Sequence, residues 1–204
     1  MADLQSTRYA LRGAVSRWFE EPACRGLIKL GVSANAATLI GVALAIGGAV
    51  WAGYGEFWIA GIFVLAGAVF DMLDGGIARR TGSVGPQGAL MDSVLDRVSE
   101  ASVLFGLLIY YTRSGHGDQT AAALAFLALA GSLMVSYVRA RAEGLGFKGT
   151  EGFLTRPERV VVTVALLLAS QPVWALWILG VGTPLSAAHR FVAAWLEAGR
   201  SKRQ

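Results

Sequence analysis

The sequence predicts an all-α integral membrane protein, six transmembrane helices preceded by an amphipathic helix on the membrane surface. Three observations predict it. The 204 residues are 54% apolar and only 16% charged, with 26 glycines, a composition too greasy and too glycine-rich for a soluble domain of this length. Leu30 to Gly55 and Gln119 to Val138 hold no Asp, Glu, Lys or Arg. Finally, Lys and Arg collect on alternate connections between the apolar stretches.

Each element follows in order. Met1 to Glu21 carries Asp3, Arg8, Arg12, Arg17, Glu20 and Glu21 without an apolar core, which predicts no secretory signal. Thr7 to Phe19 instead predicts an amphipathic surface helix. Leu30 to Gly55 and Gln119 to Val138 are each long enough to cross a hydrocarbon core of roughly 30 Å at about 1.5 Å per residue. Phe57 to Arg80 and Gly88 to Arg113 are apolar along most of their length, each with acidic residues sunk into one end. Val160 to Phe191 is too long for one span, and Gln171-Pro172 divides it into two. The chain is then a single domain, 1–204, with 1–30 as a juxtamembrane segment.

Charge placement sets the orientation. Arg8, Arg12, Arg17, Arg25 and Lys29 precede the first span; Arg79 and Arg80 follow the second; Arg139, Arg141, Lys148, Arg156 and Arg159 follow the fourth; Arg200, Lys202 and Arg203 follow the sixth. Arg113 alone falls on the other side, so both termini are expected in the cytoplasm of a cell-membrane protein. Trp51, Tyr54, Trp58, Tyr110, Tyr111, Trp174 and Trp177 gather at the opposite ends, as an interfacial belt does. The net charge of +4 is thus a membrane signal and not a nucleic-acid one. Cys24 is the single cysteine, which excludes a disulfide framework.

The chemistry sits in one segment. Asp71, Asp74, Gly75, Ala78 and Arg79 fall at i, i+3, i+4, i+7 and i+8, one helical face; Gly88, Asp92 and Asp96 fall at i, i+4 and i+8, another. A short loop bearing Gly82, Gly85 and Pro86 makes the two helices antiparallel neighbours, so four carboxylates and two glycines can converge. Such acids at the edge of hydrocarbon repel one another, at several kcal/mol each, unless a cation sits among them. Hard oxygen donors in that number point to Mg²⁺ or Mn²⁺, and to phosphoryl transfer. The helix from Phe57 reaches Asp71 after roughly 21 Å, which sets the pocket near the cytoplasmic face, within reach of a lipid diphosphate. Arg97 and Glu100 beside Asp96 are expected to form a structural pair or a supporting layer.

The run Asp71-x2-Asp74-Gly75-x2-Ala78-Arg79-x8-Gly88-x3-Asp92-x3-Asp96 resembles, at every one of its eight positions, the signature of the CDP-alcohol phosphotransferase family. The resemblance implies that Asp71, Asp74, Asp92 and Asp96 hold metal and that Asp96 is also the base for the acceptor hydroxyl. It implies that Gly75, Ala78, Arg79 and Gly88 contact the CDP moiety of CDP-diacylglycerol. Segments 136–143 and 152–159 and Arg190 are similar to those of the bacterial subgroup that makes phosphatidylinositol phosphate, which implies that Arg139, Arg156 and Arg190 bind the phosphate of inositol 1-phosphate. Arginine suits that task by gripping phosphate oxygens in pairs. Position 139 departs from the subgroup, whose residue there is Lys, and Ser33-Ala34-Asn35 lacks the family's usual proline.

Three other readings compete, one of them a purely structural membrane scaffold, which has no reason to bury four acids. Glycerol 3-phosphate as acceptor, giving phosphatidylglycerol phosphate, would use the same arginines. An ion-coupled transporter would also bury acids and arginines, but it predicts inverted repeats that the sequence does not display. Gly41, Ala45 and Ala49 form a small-residue stripe that fits either a second copy in a homodimer or an adjacent helix.

Overall fold

The computed structural model describes residues 19–113, 115, 117–147 and 152–201. Among these residues all regular structure is helical. The α-helices are α1 Glu21–Lys29, α2 Ala34–Tyr54, α3 Phe57–Thr81, α4 Pro86–Thr112, α5 Gln119–Gly144, α6 Arg156–Leu168 and α7 Pro172–Ser201. The amphipathic helix expected over Thr7 to Phe19 lies outside the described residues except for Phe19 itself.

Local chemistry sets the boundaries. The Ser33 hydroxyl accepts the Ala36 N–H at 3.2 Å and opens α2; Asp118 accepts from Thr120 and Ala121 at 2.9 and 3.0 Å and opens α5. Gly55 and Gly82, at φ +87° and +68°, end α2 and α3 in a conformation that costs a glycine little. The Glu158 carboxylate accepts the Thr155 N–H at 2.7 Å at the start of α6. The break expected at Gln171-Pro172 is present: α6 stops at Leu168, and Pro172 opens α7.

Helices α2, α3 and α5, of 21, 25 and 26 residues, are long and apolar enough to cross a membrane, and only 33, 33 and 39% of their most apolar windows is buried in protein. Leu39, Trp58, Ile62, Phe126, Leu127 and Met134 project outward from them, a surface that needs an apolar surrounding. Helices α4 and α7, of 27 and 30 residues, are longer still. Helix α6 has 13 residues, about 20 Å, short of the roughly 30 Å of hydrocarbon.

The chain divides into two compact units, one built from the described residues of 1–44 with 66–98, the other from those of 45–65 with 99–204. In the first, Cys24, Ala37, Leu73 and Ile77 form the core. Helix α1 lies on α3 where Gly76 has no side chain: a Cβ there would stand 2.7 Å from Cys24 Sγ. The Cys24 thiol is fully buried and donates to the Leu73 carbonyl at 3.6 Å, and burial pushes its pKa up. It is a packing residue.

In the second unit the core runs through Ala52, Val64, Leu104, Leu107, Leu124, Ala128, Leu167, Leu176 and Leu179. Lipid is as apolar as leucine, so helices in a bilayer are held by close fit rather than by escape from water. Helices α5 and α7 meet accordingly at small residues: a Cβ on Gly180 would come to 2.7 Å from the Leu124 carbonyl, and one on Gly131 to the same distance from the Pro184 nitrogen. The small-residue stripe of α2 is also taken up within the chain. A Cβ on Gly41 would meet the Gly67 carbonyl at 3.0 Å in the first unit, and Gly106 abuts Ala49 in the second.

Candidate functional site

The signature residues lie where α3 ends and α4 begins, across the four-residue loop 82–85. Carboxylate oxygens of Asp71, Asp74 and Asp92 all lie within 4.8 Å of one another. Three like charges at that spacing repel strongly wherever the dielectric is low, so the arrangement suits a cation and not a packing role. Asp96, one turn beyond Asp92, is 8% exposed and lies outside that trio; the adjacent Arg97 stands beside it, Nη1 to Oδ2 at 3.5 Å. Asp74 is 7% exposed and its Oδ2 accepts from the Thr38 hydroxyl at 2.7 Å. Thr38, on α2, also reaches the Ala34 carbonyl at 3.1 Å, so its one proton has two acceptors to choose between.

Space is kept open beside the carboxylates. A Cβ on Gly88 would meet nothing nearer than Asn35 Oδ1 at 4.0 Å, and one on Gly75 only the Arg79 guanidinium at 3.3 Å. Arg79 thus folds back over Gly75, with half-buried Ala78 beside it, and its Nη2 donates to Glu20 Oε1 at 2.8 Å. Arg80 stands 3.6 Å from the same oxygen, and 3.9 Å from Glu21. Glu20 therefore fastens the start of α1 to the end of α3, a tie that the sequence offered no signal for.

The arginines expected at the acceptor belong to the second unit and are treated differently by the fold. Arg190, in α7, is 5% exposed, and its side chain runs along the backbone of Gly152, where a Cβ would stand 2.6 Å from Nε. Arg156 is the half-buried first residue of α6, four residues after Gly152. The turn between them is fixed to α7 by a hydrogen bond from Ser186 Oγ to the Phe153 carbonyl. Arg139 is exposed and paired with Glu143 at 2.8 Å, one turn along α5.

Of the two roles expected for Arg97 and Glu100, Arg97 takes that of a support beside Asp96, and the two do not pair with each other. Arg97 bonds back to Ser93 and reaches Asp96. Glu100 pairs with Arg159 through both oxygens, Nε to Oε1 at 2.5 Å and Nη2 to Oε2 at 2.8 Å. Arg159 is 2% exposed, so one of the cations that follow the fourth apolar stretch is among the most buried of the described residues.

Residues 32–194 match the family described as CDP-alcohol phosphatidyltransferase. A phosphatidylinositol phosphate synthase from Mycobacterium marinum is 32% identical over 87% of this chain and 80% of its own length. The Mycobacterium tuberculosis phosphatidylinositol phosphate synthase, solved in complex with manganese and citrate, superposes with a TM-score of 0.81 at 28% identity over 87% of this chain and 89% of its own. Solved with CDP-DAG bound, the same protein gives 0.80 over 87% and 94%. With four-fifths of its length matched and its acidic trio converging on one point, this chain belongs to the CDP-alcohol phosphatidyltransferase family.

Proposed function

We propose that this chain transfers the phosphatidyl group of CDP-diacylglycerol to inositol 1-phosphate, giving phosphatidylinositol phosphate and CMP. The convergence of Asp71, Asp74 and Asp92 carries the reading, because three hard oxygen donors within 4.8 Å fit a divalent cation such as Mg²⁺ or Mn²⁺. When bound, that cation would neutralise charge on the diphosphate oxygens.

The chain's own groups supply the rest. Gly75, Ala78 and Gly88 leave room for the cytidine diphosphate, and Arg79, once drawn off Glu20, offers it a guanidinium. Buried Asp96 takes the proton of the acceptor hydroxyl as its oxygen bonds to the lipid-side phosphorus and the bond to CMP breaks. Arg156 and Arg190 hold the acceptor's phosphate. Arg139 joins them only by leaving Glu143, which gives it the weakest claim of the three.

The alternation of Lys and Arg supports six spans, α2 to α7, with both termini and the active site on the cytoplasmic face. The short α6 would then cross with its arginine-rich start drawn into the bilayer edge. The α2 stripe, already packed within the chain, gives no ground for a homodimer. The names of the relatives favour inositol phosphate over glycerol 3-phosphate, and family membership leaves the transporter reading without support. The test is product formation in proteoliposomes from CDP-diacylglycerol with inositol 1-phosphate, free inositol or glycerol 3-phosphate. The reading expects turnover with the first alone; equal turnover with either of the others overturns the acceptor.

A further inference from the structure

We infer that the buried Glu100–Arg159 ion pair is a positioning device for the acceptor's phosphate, acting through the turn that carries Arg156. Leu154 holds φ at +53°, a backbone conformation that a bulky L residue adopts only where its surroundings impose it. The surroundings here are specific. Arg159 donates from Nη1 to the Leu154 carbonyl at 2.9 Å while its other two nitrogens are engaged by Glu100 of α4. Ser186 of α7 bonds the preceding carbonyl, that of Phe153, and the Leu154 side chain seats against Gly182 where any Cβ would collide with it. One guanidinium thus ties α4 to a strained turn whose two ends are Gly152, lying on Arg190, and Arg156.

A buried ion pair is poor evidence for net stability, because desolvation offsets most of its attraction. Its planar fork does fix geometry, and here what it fixes is the backbone one residue before the α6 cap. With the pair intact, Arg156 and Arg190 meet a phosphate already spaced for it; without it, the turn relaxes from φ +53° and binding must restore it.

The inference rests on the acceptor reading proposed above, and the experiment separates the two. Steady-state kinetics would titrate inositol 1-phosphate and CDP-diacylglycerol separately for Glu100→Gln, Glu100→Asp, Arg159→Lys and Ser186→Ala, with Arg156→Gln and Arg190→Gln as controls. Melting in detergent would confirm that each assayed variant is folded. Glu100→Gln is expected to raise the acceptor KM by about tenfold, with the donor KM and the rate at saturating acceptor within about threefold. Glu100→Asp and Arg159→Lys should recover part of the loss, and Ser186→Ala should shift the same KM in the same direction by less. If the controls raise the acceptor KM and none of the four brace variants does, the brace is purely structural and the inference fails while the acceptor reading stands. If both substrates' KM values move together, the inference fails likewise. If the controls leave the acceptor KM unchanged, the acceptor reading fails and takes the inference with it.

Discussion

The chain buries charge in two regions and does so in opposite ways. Where α3 meets α4, three groups of the same sign come within 4.8 Å of one another. Where α4 meets α6, a cation and an anion meet at 2.5 and 2.8 Å through a doubly bonded fork. Like charges brought together oppose folding, so the first cluster is retained for what it binds. Opposite charges with all three guanidinium nitrogens bonded fix geometry, so the second is retained for what it holds in place. Substitutions should therefore act with opposite signs on stability, even where both lower activity.

The largest effect is expected in the acidic cluster. Asp71→Asn, Asp74→Asn and Asp92→Asn should each lower turnover by roughly a hundredfold or more, as loss of transition-state charge stabilisation does. Metal-free melting temperatures should stay level or rise. Asp96→Asn should cut the catalytic rate by about a hundredfold, the lower range for a lost general base, while CDP-diacylglycerol affinity stays within a few-fold. Equal losses in rate and donor binding would make Asp96 chiefly a metal ligand.

The opposite sign belongs to the ion pair. Arg159→Met leaves Glu100 charged and only 15% exposed, and removing one partner of such a pair costs about 3 to 5 kcal/mol. Thermal melting in detergent should show a large drop, in contrast to the acidic-cluster variants. Arg156→Gln and Arg190→Gln come next, each removing a charge-assisted contact of roughly 1.5 to 3 kcal/mol, about tenfold or more in acceptor KM. Arg190→Lys should recover only part, because an ammonium cannot grip two phosphate oxygens. The smallest effect is Thr38→Val, which leaves Asp74 in place without its 2.7 Å donor and should weaken divalent-metal affinity by about tenfold.

The same contrast explains what could be read from the sequence. The carboxylate face was legible because spacings of three and four residues on two helices joined by four loop residues determine which side chains share a surface. The division of the last apolar stretch was legible because proline cannot continue a helix. What escaped was pairing over long separations. Thr38 and Asp74 are 36 residues apart, Glu20 and Arg79 are 59, and so are Glu100 and Arg159. Nothing in composition distinguishes Arg159, almost wholly buried, from Arg141 one helix earlier in the same basic stretch, which is exposed. Arg139 shows the converse. Its partner Glu143 stands at the spacing of a helical ion pair, a local signal that the sequence displays.

The measurement that bears most directly on the acidic cluster is the melting temperature of the purified wild type and of Asp92→Asn, each stripped with chelator and then titrated with Mn²⁺. A cluster that exists to bind metal predicts that metal-free Asp92→Asn melts no lower than metal-free wild type. It predicts further that Mn²⁺ raises the wild-type midpoint markedly, as any ligand of the folded state does, and the variant's much less. A metal-free variant melting well below the wild type, or both proteins gaining equally from Mn²⁺, would contradict it.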